Sequence, residues 1–384
     1  MSLIKHTRFL LLITLIALII FGYHPMYFNN EGEYTGNGTM SYVLITLTAI
    51  VILSIVDIWQ SWKYSEIKVY TLSLVAIGIV ILGLYAFGFI KSLMEIRTLT
   101  IPLIALIIGA SSEYSHKQIL LICCTYIIMS IYVGLMQIYT NIGGFEILDA
   151  YLTNAKNSFG PILCIAGVMS LLVALTTHIP NTLRILLALC SIVIFVEILT
   201  IRARFASITY ISISSFVIFK YLKQSNKNIS LVRYIIAIAI ICCIVYYLSD
   251  YFIDSFTRNR EDDITSGRGE VIVDSIDIFT ISPLWGNLTL NRDIGWVHNY
   301  FFLKLSSYGI IGSLPWMFLY LYLAVSIIKG LFNANLLSPY HYGWAIILVS
   351  FITSLAEPTY PYGPGTTNFI PFLLFGVALS NKIK

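Results

Sequence analysis

Charged residues are scarce in this chain. Lysine, arginine, aspartate and glutamate make up 11% of 384 residues, and the mean hydropathy is +0.84. Soluble domains carry roughly 25% charged residues, so a soluble globular protein is excluded. Continuous alternation of apolar and polar residues is also lacking, which argues against a β-barrel. No internal repeat is visible, so an inverted-repeat transporter gains no support. No small-residue cleavage pattern follows the first apolar run, which continues into Gly22-Tyr23-His24-Pro25, and it is expected to be a retained span. The six cysteines, Cys123, Cys124, Cys164, Cys190, Cys242 and Cys243, all fall inside apolar runs. Adjacent cysteines do not form an ordinary bridge, so these are expected to be small packing residues. No cluster of His, Cys or carboxylates has metal-ligand spacing, so no obligatory metal and no cofactor are expected.

What is present is hydrocarbon in bilayer-sized lengths. Apolar runs recur at 8–22, 41–59, 67–90, 98–111, 118–139, 158–177, 182–200, 205–221, 231–249, 308–329, 341–356 and 367–381. The expected fold class is an all-α polytopic integral membrane protein, a single transmembrane domain over 1–384, with about 12 transmembrane helices. The fourth, eleventh and twelfth runs are short and interrupted by Pro or Gly, which widens the range to between eleven and thirteen.

Orientation follows from charge. With the N-terminus in the cytoplasm and twelve crossings, the inner side collects a net +10 and the outer side −6, together the +4 of the chain. The basic stretch 220–233, the loop at 62–68 and both termini obey the positive-inside rule. A multi-pass protein with both termini cytoplasmic is expected. Its basic residues are scattered along one membrane face, which gives no sign of a nucleic-acid partner.

One stretch, 249–299, does not fit the bilayer. It holds four arginines, nine acids and a histidine, and is expected to be a large loop in water on the outer side, over about 250–299. Within it, EVIVDSIDIF places Ile272, Ile276 and Phe279 on one helical face with Asp274 and Asp277 off it. That pattern predicts an amphipathic helix at 270–280, ended by Ser282-Pro283. The Ser266-Gly267 turn before it would leave free backbone N–H groups suited to an anionic head group.

The candidate residues gather near this loop. Arg202 and Arg204 sit at the outer end of the seventh run, where the positive-inside bias makes arginine rare; headgroup snorkelling is the plain reading and anion capture the functional one. Arg268, with Gly267 and Gly269 on either side, lies where backbone and guanidinium can both approach a ligand. His298, followed by Asn299, marks the return to the membrane and offers an imidazole able to move a proton near neutral pH. Glu197 and Glu357 stand at outer span ends. Arg258 and Arg260 read as solvated loop charge on this basis, and Arg260→Ala and Lys304→Ala are expected to be nearly silent, as controls for mere loss of positive charge.

His298-Asn299, nine residues, Gly309, two residues, Gly312 resembles the signature of the O-antigen ligase and O-antigen polymerase superfamily. Ser266-Gly267-Arg268 at a helix start, Arg258 and Gly269 with ten residues between them, and Arg202-Ala203-Arg204 resemble its arginine patterns. The likeness covers about 160–330; eleven residues after Arg202 stands Ile213 where that spacing asks for glycine. The resemblance implies a GT-C-like helical fold with one large periplasmic loop. It further implies glycosyl transfer from an undecaprenyl-diphosphate-linked glycan at the outer face of a bacterial inner membrane. Catalytic roles would fall to His298, Arg268 and Arg204, and substrate-binding roles to Arg202, Arg258, Gly267, Gly269, Asn299 and Glu357. Expected partners are the lipid-linked glycan, membrane lipid, and a chain-length regulator and flippase of the same pathway. A polymerase making O-antigen or capsular polysaccharide is preferred. The alternatives are a ligase that transfers glycan to lipid A-core and, in a different class, a lipid-linked glycan flippase.

Overall fold

The computed structural model describes residues 2–27, 37–90, 92–142, 148–176, 179–201, 203–224, 268–290, 297–363 and 366–381. Regular structure among them is helical. The long helices of the first part are α1 (Ser2–Phe21), α2 (Asn37–Ser61), α3 (Ser65–Ala86), α4 (Met94–Ser111), α5 (His116–Ile142), α6 (Leu148–Leu175), α7 (Asn181–Thr200) and α8 (Arg204–Gln224). After them come α9 (Arg268–Ile281), the single turn α10 (Asn287–Leu290), α11 (Tyr300–Asn333), α12 (Tyr342–Thr353) and α13 (Phe369–Asn381). Among the described residues, 8 helices are long and apolar enough to cross a membrane. The chain is an all-α, multi-spanning membrane protein. The apolar run at 231–249 lies outside the described residues.

The surface of the helices shows which solvent they require. On α7, Ile185, Leu189, Ile192 and Val196 are exposed while Leu187, Ser191, Ile194 and Ile198 are buried. Both stripes follow the helical period, and the exposed one is wholly apolar, as lipid contact demands. In α6 the window 158–175 is 83% buried, against 28–44% in the other long spans, which makes α6 the central post of the bundle. It packs against α5, α7, α8 and α12. Small polar groups tie it to α7: Ser170 Oγ donates to the Leu187 carbonyl (2.6 Å) and Ser191 Oγ to the Gly167 carbonyl (2.9 Å). Cys123 and Cys164 are buried free thiols, and Cys124 and Cys190 are free and half-buried. Elsewhere α4 and α13 touch backbone to backbone, Gly109 against the Leu373 carbonyl and Gly376 against the Leu106 carbonyl.

The last third departs from simple crossings. At 1.5 Å per residue, the 12 residues of α12 and the 13 of α13 span about 18 and 20 Å, short of a hydrocarbon core of about 30 Å. The runs at 341–356 and 367–381, expected as crossings, are therefore helices of about two thirds that length, with irregular backbone at 354–363 and 366–368 between them. The run expected to begin at 308 also differs. Gly309 takes φ 63° and ψ −171°, a conformation almost restricted to glycine, and breaks α11 into 300–308 and 310–333. In one continuous helix, residues 300 and 320 would lie about 30 Å apart. Instead the Tyr300 and Tyr320 rings stack at 5.7 Å and those of Tyr308 and Trp316 at 5.0 Å. The first arm thus folds back along the second as a helical hairpin.

The hairpin anchors the loop helix. A Cβ on Gly309 would collide with the Leu284 backbone, and one on Gly286 would meet the Gly309 nitrogen at 2.5 Å. Ile310 N–H donates to the Pro283 carbonyl (2.9 Å) and Ile311 N–H to that of Leu284 (3.2 Å). The helix predicted at 270–280 runs from Arg268 to Ile281. Its buried residues are Ser275 and Ile278, whereas Ile276 is exposed, because the packed face is the one that meets the hairpin. Asp274 and Asp277 are exposed. Replacing Gly309 by alanine should destabilise the protein by about 1–3 kcal/mol from backbone strain alone. Gly78→Ala, with open space around it on α3, should be neutral or slightly stabilising. Thermal unfolding of the two purified variants checks the contrast.

Candidate functional site

The first arm of the hairpin delivers His298 and Asn299 to the end of α12. Asn299 Oδ1 accepts from the Phe302 N–H (3.1 Å), capping the arm, and its Nδ2 donates to the Leu355 carbonyl (3.2 Å). Tyr300 N–H donates to the Ser354 carbonyl (3.0 Å), and the Tyr320 hydroxyl pairs with Ser354 Oγ (2.9 Å). Three residues after Ser354, Glu357 N–H closes on the Thr353 carbonyl (2.9 Å). Three sequence-predicted residues, His298, Asn299 and Glu357, therefore converge on one irregular stretch of backbone. Val297 beside them is fully buried, while His298, Asn299 and Glu357 are half-buried. Irregular backbone inside a membrane bundle is tolerated where protein covers it or where it lines a cavity.

The remaining predicted residues divide. Arg204 opens α8 and is half-buried; its neighbours Ala203 and Ala206 pack on Gly160 of α6. Arg268 and Gly269 form the first residues of α9, which packs on the hairpin. Arg202, Arg258 and Gly267 lie outside the described residues, as does Arg260. Glu197, near the end of α7, is 1% exposed, and neither of its carboxylate oxygens has a hydrogen-bond partner among the described residues. It sits against Gly134 of α5, where a Cβ would come within 2.6 Å of Oε2.

Beside this convergence is a charged cluster that sequence reasoning missed. Lys304 is 6% exposed and its Nζ lies 2.5 Å from Glu95 Oε1, joining the hairpin to the start of α4. The Tyr308 hydroxyl donates to the same carboxylate oxygen (3.2 Å). The ammonium also stands 5.5, 5.6 and 5.7 Å from the ring centres of Tyr300, Tyr308 and Trp316. The expectation that Lys304→Ala is nearly silent is revised, because folding the arm back buries the side chain against Glu95. A signal was present in YFFLKLSSY, since Tyr300, Lys304 and Tyr308 are spaced i, i+4, i+8 and share a helical face. No sequence feature pointed to Glu95 as its partner, because the two are 209 residues apart.

Two further properties shape the region. A groove of about 500 Å³ opens where Phe89 and Ile90, Asn287 and Leu288, and Ser307 and Tyr308 come together. The hydroxyls of Tyr300, Tyr360 and Tyr362 are buried with no hydrogen-bond partner among the described residues. Each such group costs about 1–3 kcal/mol; the Tyr300 and Tyr362 rings are in contact, with centres 5.6 Å apart. Among the described residues no group of three His, Cys, Asp or Glu is placed to hold a metal ion. No family model matches the chain, and no curated protein is similar to it.

Proposed function

We propose that this protein is a glycosyltransferase that polymerises undecaprenyl-diphosphate-linked repeat units at the outer face of a bacterial inner membrane. The observation that carries the reading is the convergence of His298, Asn299 and Glu357 at the end of α12. In the proposed reaction His298 accepts the proton of an acceptor sugar hydroxyl. The freed oxygen bonds to the anomeric carbon of the donor glycan, whose bond to the diphosphate oxygen breaks. Undecaprenyl diphosphate leaves with its growing negative charge met by Arg268 and Arg204. Guanidinium groups aimed at that charge stabilise the transition state more than the ground state. Glu357 and the tyrosine hydroxyls around 354–368 are suited to hold sugar hydroxyls, and the adjacent groove is of the size usual for small ligands.

The orientation expected from charge places this end of the bundle outside the cell, where lipid-linked repeats await assembly. Deleting the gene in its own host tests the proposal. A polymerase deletion leaves single repeat units on the final acceptor, seen as one short band where the parent shows a ladder. Bare acceptor with lipid-linked polymer accumulating would contradict polymerisation and indicate a ligase.

A further inference from the structure

The end of α4 remote from Glu95 opens on a cavity that the proposed reaction does not use. Its volume is about 230 Å³, and it lies where the start of α3, the ends of α4 and α13, and the 3-10 turn Pro339–His341 come together. Sites for drug-sized ligands hold roughly 300–1,000 Å³, so this one suits a smaller group. The orientation expected from charge puts this end of the bundle on the cytoplasmic side. Trp59 and Trp62 are exposed, and Trp62 adjoins the cavity residue Lys63. Indoles gather at the level of lipid headgroups, which sets the depth of the cavity mouth.

The lining is polar and carries both signs of charge. From the start of α3 come Lys63 and Tyr64, with the ammonium 5.1 Å from the centre of the Tyr64 ring. Tyr64 is the N-cap of α3 and makes no side-chain capping bond, so the positive end of that helix adds to the lysine. From the end of α4 come Ser111, Ser112 and Glu113, and from the end of α13 comes Asn381. The last carbonyls of two helices stand beside this carboxylate and share its sign. Lys63 and Glu113 both line the cavity, yet they form no ion pair with each other. Ser112 is 5% exposed, and its hydroxyl is buried with no hydrogen-bond partner among the described residues.

A simple anion in this cavity would face Glu113, and a simple cation would face Lys63. A ligand that joins a phosphate to a primary ammonium answers both. Its phosphate accepts from Lys63 and the Ser112 hydroxyl, and its ammonium donates to Glu113 and the helix-end carbonyls. We infer that this cavity binds a phosphoethanolamine group, with phosphatidylethanolamine the source that its headgroup depth favours. A choline group has no N–H to donate and should be held less well. Free phosphoethanolamine presents the same chemistry, and the experiment separates the two sources.

The test uses the full chain, purified in a neutral maltoside detergent and stripped of lipid. Bound lipid is counted by native mass spectrometry while phosphatidylethanolamine, phosphatidylglycerol or phosphatidylcholine with the same acyl chains is titrated in. The site predicts one saturable phosphatidylethanolamine, held about tenfold more tightly than either competitor through its additional charge-assisted contact. Glu113→Gln should erase the advantage over phosphatidylglycerol. Lys63→Met should weaken phosphatidylethanolamine about tenfold, from loss of the contact to phosphate. Lys117→Met, on the same membrane face but outside the cavity lining, should change neither. All three side chains are exposed, so the variants should fold. Displacement of the lipid by soluble phosphoethanolamine identifies the free headgroup as a sufficient ligand, and retention against it identifies the whole lipid. Equal binding of the three lipids by wild type, or a preference unchanged in both cavity variants, would overturn the assignment.

Discussion

Replacing Lys304 by alanine should lower stability by about 3 kcal/mol and sharply reduce the protein recovered from membranes. Breaking a buried ion pair by removing one partner typically costs 3–5 kcal/mol, because the remaining charge stays buried and uncompensated. The low end applies here because the Glu95 side chain is 35% exposed, so water screens part of the loss. The change also empties the space between the Tyr300, Tyr308 and Trp316 rings and releases the arm that carries His298 and Asn299. Replacing both partners, Lys304→Met with Glu95→Gln, removes the charges together and should recover most of the lost stability. Arg97→Ala, on the exposed side of α4, is the control for mere loss of positive charge. Unfolding midpoints of the detergent-solubilised proteins decide the matter. A Lys304→Ala midpoint equal to wild type would mean that the pair does not hold the hairpin.

Arg268→Ala and His298→Ala should each abolish detectable polymer while leaving the membrane level of the protein near normal. Contacts from a charged donor to phosphate are worth about 1.5–3 kcal/mol, or roughly tenfold to a hundredfold in binding or rate. Loss of the proton acceptor adds about another hundredfold or more. Lysine at 268 or 204 keeps the charge without the planar fork and should restore part of the activity. Glycan length on a gel, after complementing a null strain and with protein level checked alongside, reads the effect. Normal long chains from the Arg268→Ala strain would return that helix start to ordinary loop surface.

How much of this was legible in the sequence depends on the range of the interaction. Apolar run length gave the long spans, because a bilayer imposes its thickness on each helix separately. Local spacing also marked His298, Asn299 and Glu357, which the fold brings to one place. The shortened helices were not legible: the run at 341–356 has crossing-like hydropathy, and only the contacts of Ser354 with Tyr300 and Tyr320 show where α12 stops. Gly309 stood out in the sequence only through its spacing from His298-Asn299, with nothing to mark it as a point of reversal. Its backbone reversal is set by the docking of 282–286 upon it, a contact that no local pattern encodes. Lys304 followed the same logic. It stood as a control for mere loss of charge, yet the reversal at Gly309 turns it inward to a carboxylate from α4.

The most direct test of the central claim is the reaction itself. Purified protein is reconstituted in liposomes whose only substrate is an undecaprenyl-diphosphate-linked repeat unit bearing a fluorescent tag. A polymerase converts the tag into a ladder spaced by one repeat unit and releases one undecaprenyl diphosphate for each linkage made, and His298→Ala liposomes give no ladder. Tagged units that cross the bilayer but stay single, with no diphosphate lipid released, would contradict the account and identify a transporter.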